Sequence, residues 1–141
     1  MAWLLDTNIL SELRRPRPEA RVVAFISSLS LAQIYISSVT LAEIRFGIER
    51  VPDLARRTEL HNWLTNEVRP MFDQRVLQVT EDILLKWRHF VEEGRKIGHT
   101  FSQPDLMIAA TAVHYALTVI TRDRSHYDKA GASVINPWQI L

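Results

Sequence analysis

The chain has 141 residues, 47% of them hydrophobic and 23% charged, with 17 basic side chains against 16 acidic ones and no cysteine. This fits one globular domain over residues 1–141, long enough to bury roughly 68–70% of its unfolded surface without covalent staples. The lack of cysteine excludes thiolate chemistry, Cys-ligated zinc and a disulfide framework. No basic stretch precedes the first apolar run, and Asp6 interrupts that run, so no secretory signal is expected. The most apolar tract, Leu106 to Ile120, contains Thr111, His114 and Thr118 and is shorter than the ~18–20 residues a membrane span requires. A soluble, cytoplasmic protein with no membrane role is the expectation. The net charge of +1 carries no strong preference for nucleic acid, although the basic residues are 14 Arg and only Lys86, Lys96 and Lys129, and Arg suits planar phosphate and carboxylate groups.

In chain order, Ala2 to Leu5 reads as a short buried strand. Asp6-Thr7-Asn8 makes a polar turn, and Ile9 to Leu13 a short helix closed by Pro16 and Pro18. From Glu19, the apolar positions Val22, Val23, Phe25, Ile26 and Leu29 predict an amphipathic helix. Ile34 to Val39 predicts a second strand, ended by Thr40, which begins a helix. A charged amphipathic helix or hairpin arm spans Asp53 to about Val68, with Pro70 near its end. Val76 to Val79 is a third strand candidate, and Thr80-Glu81-Asp82 opens a long helix that runs to about Lys96 and stops near Gly98. Pro104 suits a first helical turn, and the apolar, small-residue run Asp105 to Val113 predicts the most buried helix. Thr118 to Thr121 and Ser133 to Ile135 complete five strands. Short apolar strands alternating with helices imply an α/β fold whose parallel sheet is covered on both faces.

Ligands of open parallel sheets bind beyond the carboxyl ends of the strands. The carboxylates placed there are Asp6 after the first strand, Glu43 one turn into the helix after the second and Asp123 just past the fourth, while Asp105 opens the buried helix. Each has a purely structural alternative. Thr40-Leu41-Ala42-Glu43 matches a capping box, and Ser102-Gln103-Pro104-Asp105 is close to one. Asp6 can cap its helix, and Asp123 can stabilise a turn. Taken together, converging carboxylates repel one another and raise their pKa values unless cations neutralise them. Hard divalent cations such as Mg²⁺ take oxygen ligands and support in-line displacement at phosphodiesters.

Leu5-Asp6-Thr7-Asn8-Ile9-Leu10-Ser11, Thr40-Leu41-Ala42-Glu43-Ile44-Arg45-Phe46-Gly47, Asp105-Leu106-Met107-Ile108-Ala109-Ala110-Thr111-Ala112 and Val119-Ile120-Thr121-Arg122-Asp123 resemble the successive motifs of PIN-domain ribonucleases, above all the VapC/FitB-type toxins of bacterial toxin–antitoxin pairs. The resemblance runs from Leu4 to Asn136-Pro137-Trp138. It implies a PIN-like three-layer sandwich, a short parallel sheet flanked by helices. It also implies an acidic pocket of Asp6, Glu43, Asp105 and Asp123 that holds Mg²⁺ or Mn²⁺. Asp6 and Asp105 would be the firmest ligands. Glu43 would ligate the metal or orient the attacking water, and Asp123 would act at a second metal or through water, with Asp128 an alternative for that place. Thr7 and Asn8 would organise the first turn, and Thr121 would supply a hydroxyl. The activity implied is endoribonucleolytic hydrolysis by a metal-activated water, blocked by a cognate antitoxin, in a homodimer.

Arg14, Arg15, Arg17 and Arg21, with Arg45, Arg122 and Arg124 near the strand-end motifs, are either RNA-phosphate contacts or a solvated face. His61, His89, His99, His114 and His126 lack zinc-protease spacing and read as surface or core residues, His126 being the nearest to a motif. Trp63 and Leu64 fit core packing or a dimer surface, and Glu81 and Asp82 fit a helix N-terminus. Two other functions are compatible with these residues. One is a non-catalytic RNA- or protein-binding module with an acidic pocket. The other, a haloacid-dehalogenase-like phosphatase, expects a second Asp where this chain has Asn8.

Overall fold

The computed structural model describes residues 1–140; the last residue of the predicted 1–141 domain lies outside the described residues. Its framework is a five-stranded, all-parallel sheet in the order β3-β2-β1-β4-β5. The strands are β1 (Trp3–Leu5), β2 (Ile34–Ser37), β3 (Val76–Leu77), β4 (Thr118–Ile120) and β5 (Val134–Ile135). The helices are α1 (Thr7–Arg14), α2 (Ala20–Ser27), α3 (Ser38–Glu49), α4 (Leu54–Trp63), α5 (Arg69–Met71), α6 (Glu81–Lys96), α7 (Gln103–Tyr115) and α8 (Arg124–Lys129).

Successive side chains on a strand point to opposite faces, and the core divides accordingly. Leu5, Ile34, Ile36 and Ile120 join Ile9, Leu41, Ile44, Leu64 and Phe72 on one side. Leu4, Val119 and Val134 join Ile108, Ala109, Ala112 and Tyr127 on the other. Each of these larger side chains, taken fully out of water, contributes on the order of 1.5–3 kcal/mol, so neither face of the sheet can be left bare. This is the expected three-layer α/β sandwich. Buried α7 packs against α6, α3 and α8, and its Leu106, Ile108, Ala109, Ala110, Thr111 and Ala112 are all buried.

Several boundaries differ from the sequence pattern, each for a local reason. The second strand stops at Ser37, whose hydroxyl accepts the Val39 amide at 3.0 Å and starts α3 before Thr40. Thr40 is therefore an interior helix residue, fully buried, with its hydroxyl unpartnered, and the Thr40/Glu43 capping box does not form. The helical path after Asp53 continues through Pro70 to Met71 by way of a π-helical turn at Leu64–Val68. There the Arg69 amide reaches back to the Leu64 carbonyl, and this wider turn is where the chain accommodates a proline ring and its missing donor. The short, highly charged α8 has no apolar periodicity to announce it.

The fold places a site through strand order. The chain steps from β1 outward to β2 and β3, then returns to the other side of β1 with β4 and β5. Strand order reverses between β1 and β4, and in open parallel sheets the carboxyl ends of the strands at such a point are where a crevice lies.

Candidate active site

Register decides which residues meet in that crevice. Leu5 pairs with Ile120, and the Asp6 amide donates to the Ile120 carbonyl at 3.0 Å, so Asp6 and Thr121 emerge side by side. Asp6 is 4% exposed and caps α1. Its Oδ1 accepts the Thr7 amide at 2.7 Å, and its Oδ2 accepts the Thr121 hydroxyl at 2.7 Å. Asn8 ties the two loops together. Its Nδ2 donates to Thr121 Oγ1 at 3.1 Å and approaches Asp6 Oδ2 and Asp123 Oδ2 at 3.4 and 3.5 Å, while its Oδ1 accepts the Arg122 amide at 3.2 Å. The Thr121 hydroxyl also accepts the Asp123 amide at 3.0 Å. Helix capping and site construction thus use the same Asp6 carboxylate.

Glu43 from α3, Asp105 from the first turn of α7 and Glu12 from α1 contribute to the acidic lining of one cleft of about 480 Å³. Asp6, Thr7, Asn8 and Asp123 line it as well, with Arg15 and Arg122 at its walls. Thr121 lies just beneath, fully buried. Burial pushes the Asp6 carboxyl above the usual carboxylate range, the Thr121 hydrogen bond pulls it back, and the charge of Asp105 pushes it up again. Burial also raises Asp105, against the pull of nearby His126 and with a further push from Asp123. Ser102 does not cap α7 with its side chain.

Other predicted residues are elsewhere. Asp128 is outside the cleft, accepting from Arg124 Nε at 3.1 Å. Arg17 and Arg45 are exposed away from the lining, Arg21 pairs with Glu19 at 2.9 Å, and Arg14 lies 5.6 Å from the Trp63 ring in a neighbouring groove. Leu64 is in the core and Trp63 packs against it. His126 lies beside His99, 6.3 Å between ring centres. Sequence reasoning missed Glu12, buried and held by the Glu19 amide at 2.9 Å and by Arg15 at 3.1 Å. It also gave no role to Trp138, over which Arg122 stacks at 5.1 Å. Tyr127 was missed too; its hydroxyl donates to Asp105 Oδ1 at 3.5 Å. No spacing rule identifies these residues, because each lies on an element whose own pattern is that of packing or capping.

Among the described residues, no group of three or more His, Asp or Glu side chains is arranged to hold a metal ion. The donor set nevertheless fits a hard cation. It consists of oxygen ligands in a water-accessible cleft, with Asp6 buried and Asp105 half-buried, and the carboxyls of both are raised chiefly by that burial. Mg²⁺ in particular is bound through one or two carboxylates and keeps several waters. A closed protein cage is not what such an ion needs.

A parallel sheet with an acidic cleft at its switch point defines a class, and the comparisons place the chain in it. The PIN domain family model matches residues 3–132. The chain belongs to the PIN-domain family. It is 38% identical over 136 residues to VapC ribonuclease Y4jK of Sinorhizobium fredii, covering 96% of this chain and 97% of that protein. It is 37% identical to toxin FitB of Neisseria gonorrhoeae, with coverage of 96% and 97%. In structure it is similar to FitAcB from Neisseria gonorrhoeae, with a TM-score of 0.92 at 36% identity, covering 98% of this chain and 99% of that one.

Proposed function

We propose that this chain is a Mg²⁺- or Mn²⁺-dependent endoribonuclease, the toxin of a type II toxin–antitoxin pair. The observation that carries the reading is that Asp6, Glu43, Asp105 and Asp123, from four separate segments, line one cleft at the sheet's switch point. The relatives named as a VapC ribonuclease and a FitB toxin support it. Asp6 and Asp105 would hold the cation, with Glu43 and Asp123 acting directly or through water. A bound divalent cation supplies Lewis-acid polarisation of a phosphodiester and of the attacking water.

The chain's own residues orient these groups. Thr7, Asn8 and Thr121 fix the Asp6 carboxylate, and Arg15 and Arg122 place positive charge at the walls for the RNA backbone. A cognate antitoxin and a second copy of the chain are the proposed protein partners, and the cytoplasm the proposed compartment. No helix among the described residues is long and apolar enough to cross a membrane. The exposed Phe46, Leu54, Leu84 and Leu85 are consistent with a covered surface, and sedimentation as a monomer at micromolar concentration would count against the dimer.

The test is cleavage of single-stranded RNA by the purified protein with Mg²⁺ or Mn²⁺. Activity should disappear on chelation and in Asp105→Asn. RNA binding without cleavage would establish a binding module instead, and release of inorganic phosphate from small monoesters a phosphatase.

A further inference from the structure

Tyr127 is the largest fully buried side chain of the molecule, 0% exposed. Its ring fills the core under the sheet with Leu4, Ile108 and Val119, and for that purpose a phenylalanine would serve equally. What phenylalanine lacks is the hydroxyl, and burying a hydroxyl costs about 1–3 kcal/mol unless it is bonded. The partner present is a carboxylate of the cleft: the phenol donates to Asp105 Oδ1 at 3.5 Å. Asp6 is the neighbouring carboxylate on the same phenol. Burial and these two anions hold the phenol above the ordinary tyrosine range.

The two carboxylates are supported unequally. Asp6 has Thr7, Asn8 and Thr121 around it. Asp105, half-buried on the first turn of α7, accepts one side-chain hydrogen bond, from Tyr127, with His126 and Ser102 nearby. We infer that Tyr127 is a positioning residue, whose single O–H, presented from the core side between Asp6 and Asp105, holds Asp105 in the placement in which the pair takes a divalent cation. This rests on the proposal that these carboxylates bind that cation. Groups that orient ligands from behind typically govern affinity by 10–100-fold.

The experiment is calorimetric titration of the full-length, chelator-treated protein with Mn²⁺, comparing the unmodified chain, Tyr127→Phe and Asp105→Asn. The expected result is a Kd at least about tenfold weaker in Tyr127→Phe, with unchanged far-ultraviolet circular dichroism and, at saturating Mn²⁺, an unchanged KM for RNA. A Mn²⁺ Kd within twofold of the unmodified chain overturns the inference while leaving the metal reading intact. No Mn²⁺ binding by the unmodified chain overturns both. Should Tyr127→Phe fail to fold, the Tyr127 hydroxyl proton is followed by NMR in the unmodified chain. A shift on adding Mg²⁺ supports the positioning role, and an unmoved resonance at saturation refutes it.

Discussion

The Thr121 hydroxyl donates to Asp6 Oδ2 at 2.7 Å across 115 residues of chain, inside a fully buried contact. The same oxygen accepts from Asn8 and from the Asp123 amide, so one hydroxyl joins the loops leaving β1 and β4. Thr121→Val keeps the shape and removes all of these bonds. Leaving buried polar groups unpaired costs about 1–3 kcal/mol, and urea denaturation should show a loss of that size. RNA cleavage should fall at the same time, and Thr121→Ser should restore most of both.

Asp6 carries a testable pH dependence in the metal-free protein. Its folded pKa is raised, chiefly by burial, so the folded state holds its proton more tightly than the unfolded one. Stability from this group is present below the unfolded value of about 3.9 and is lost as pH rises through the folded value. Asp6→Asn should therefore raise the Tm of chelator-treated protein at pH 7, with the gain disappearing near pH 4, while abolishing metal-dependent cleavage. Asn remains a good helix cap, so the fold should persist. A lower Tm at pH 7 would refute the electrostatic account.

Glu12 has the opposite sign. The Glu19 amide, and after it Arg15, hold its carboxyl below the usual range. Its contribution is present at neutral pH and is lost as pH falls through the folded value. Glu12→Gln should be destabilising at pH 7 and closer to neutral in acid, as thermal melts at the two pH values would show.

Arg15 and Arg122 line the cleft, whereas Arg45 does not. Each phosphate contact removed should flatten the plot of log RNA affinity against log salt by about 0.7 for a single strand. Arg15→Ala and Arg122→Ala should show this change individually, and Arg45→Ala should not. Equal slopes for all three would assign the arginines to a solvated face.

Gly94 marks a packing constraint between α6 and the segment leading to α7. A Cβ there would lie 2.7 Å from the Phe101 ring and 2.9 Å from the His99 carbonyl oxygen. The ring can turn, but the backbone carbonyl has less freedom. Gly94→Ala should cost about 1–3 kcal/mol, as overpacking does, despite alanine's better helix propensity.

The alternation of short apolar runs and amphipathic segments was sufficient to read a covered parallel sheet and a buried α7, because burial on both faces of a strand and on a full helix circumference leaves its mark in local composition. Asp6, Glu43, Asp105 and Asp123 were legible as strand-end or helix-start carboxylates for the same reason. Local pattern could not decide between Asp123 and Asp128, since both stand in one short charged stretch; the pairing of Leu5 with Ile120 turns Asp123 into the cleft and leaves Asp128 to Arg124. Nor could it separate Arg15 and Arg122 from the exposed arginines, or show that the tyrosine of an unremarkable helix, Tyr127, ends at a buried carboxylate. Those contacts join residues far apart in the chain. Strand register and layer packing create them, and no window of neighbouring residues encodes either one.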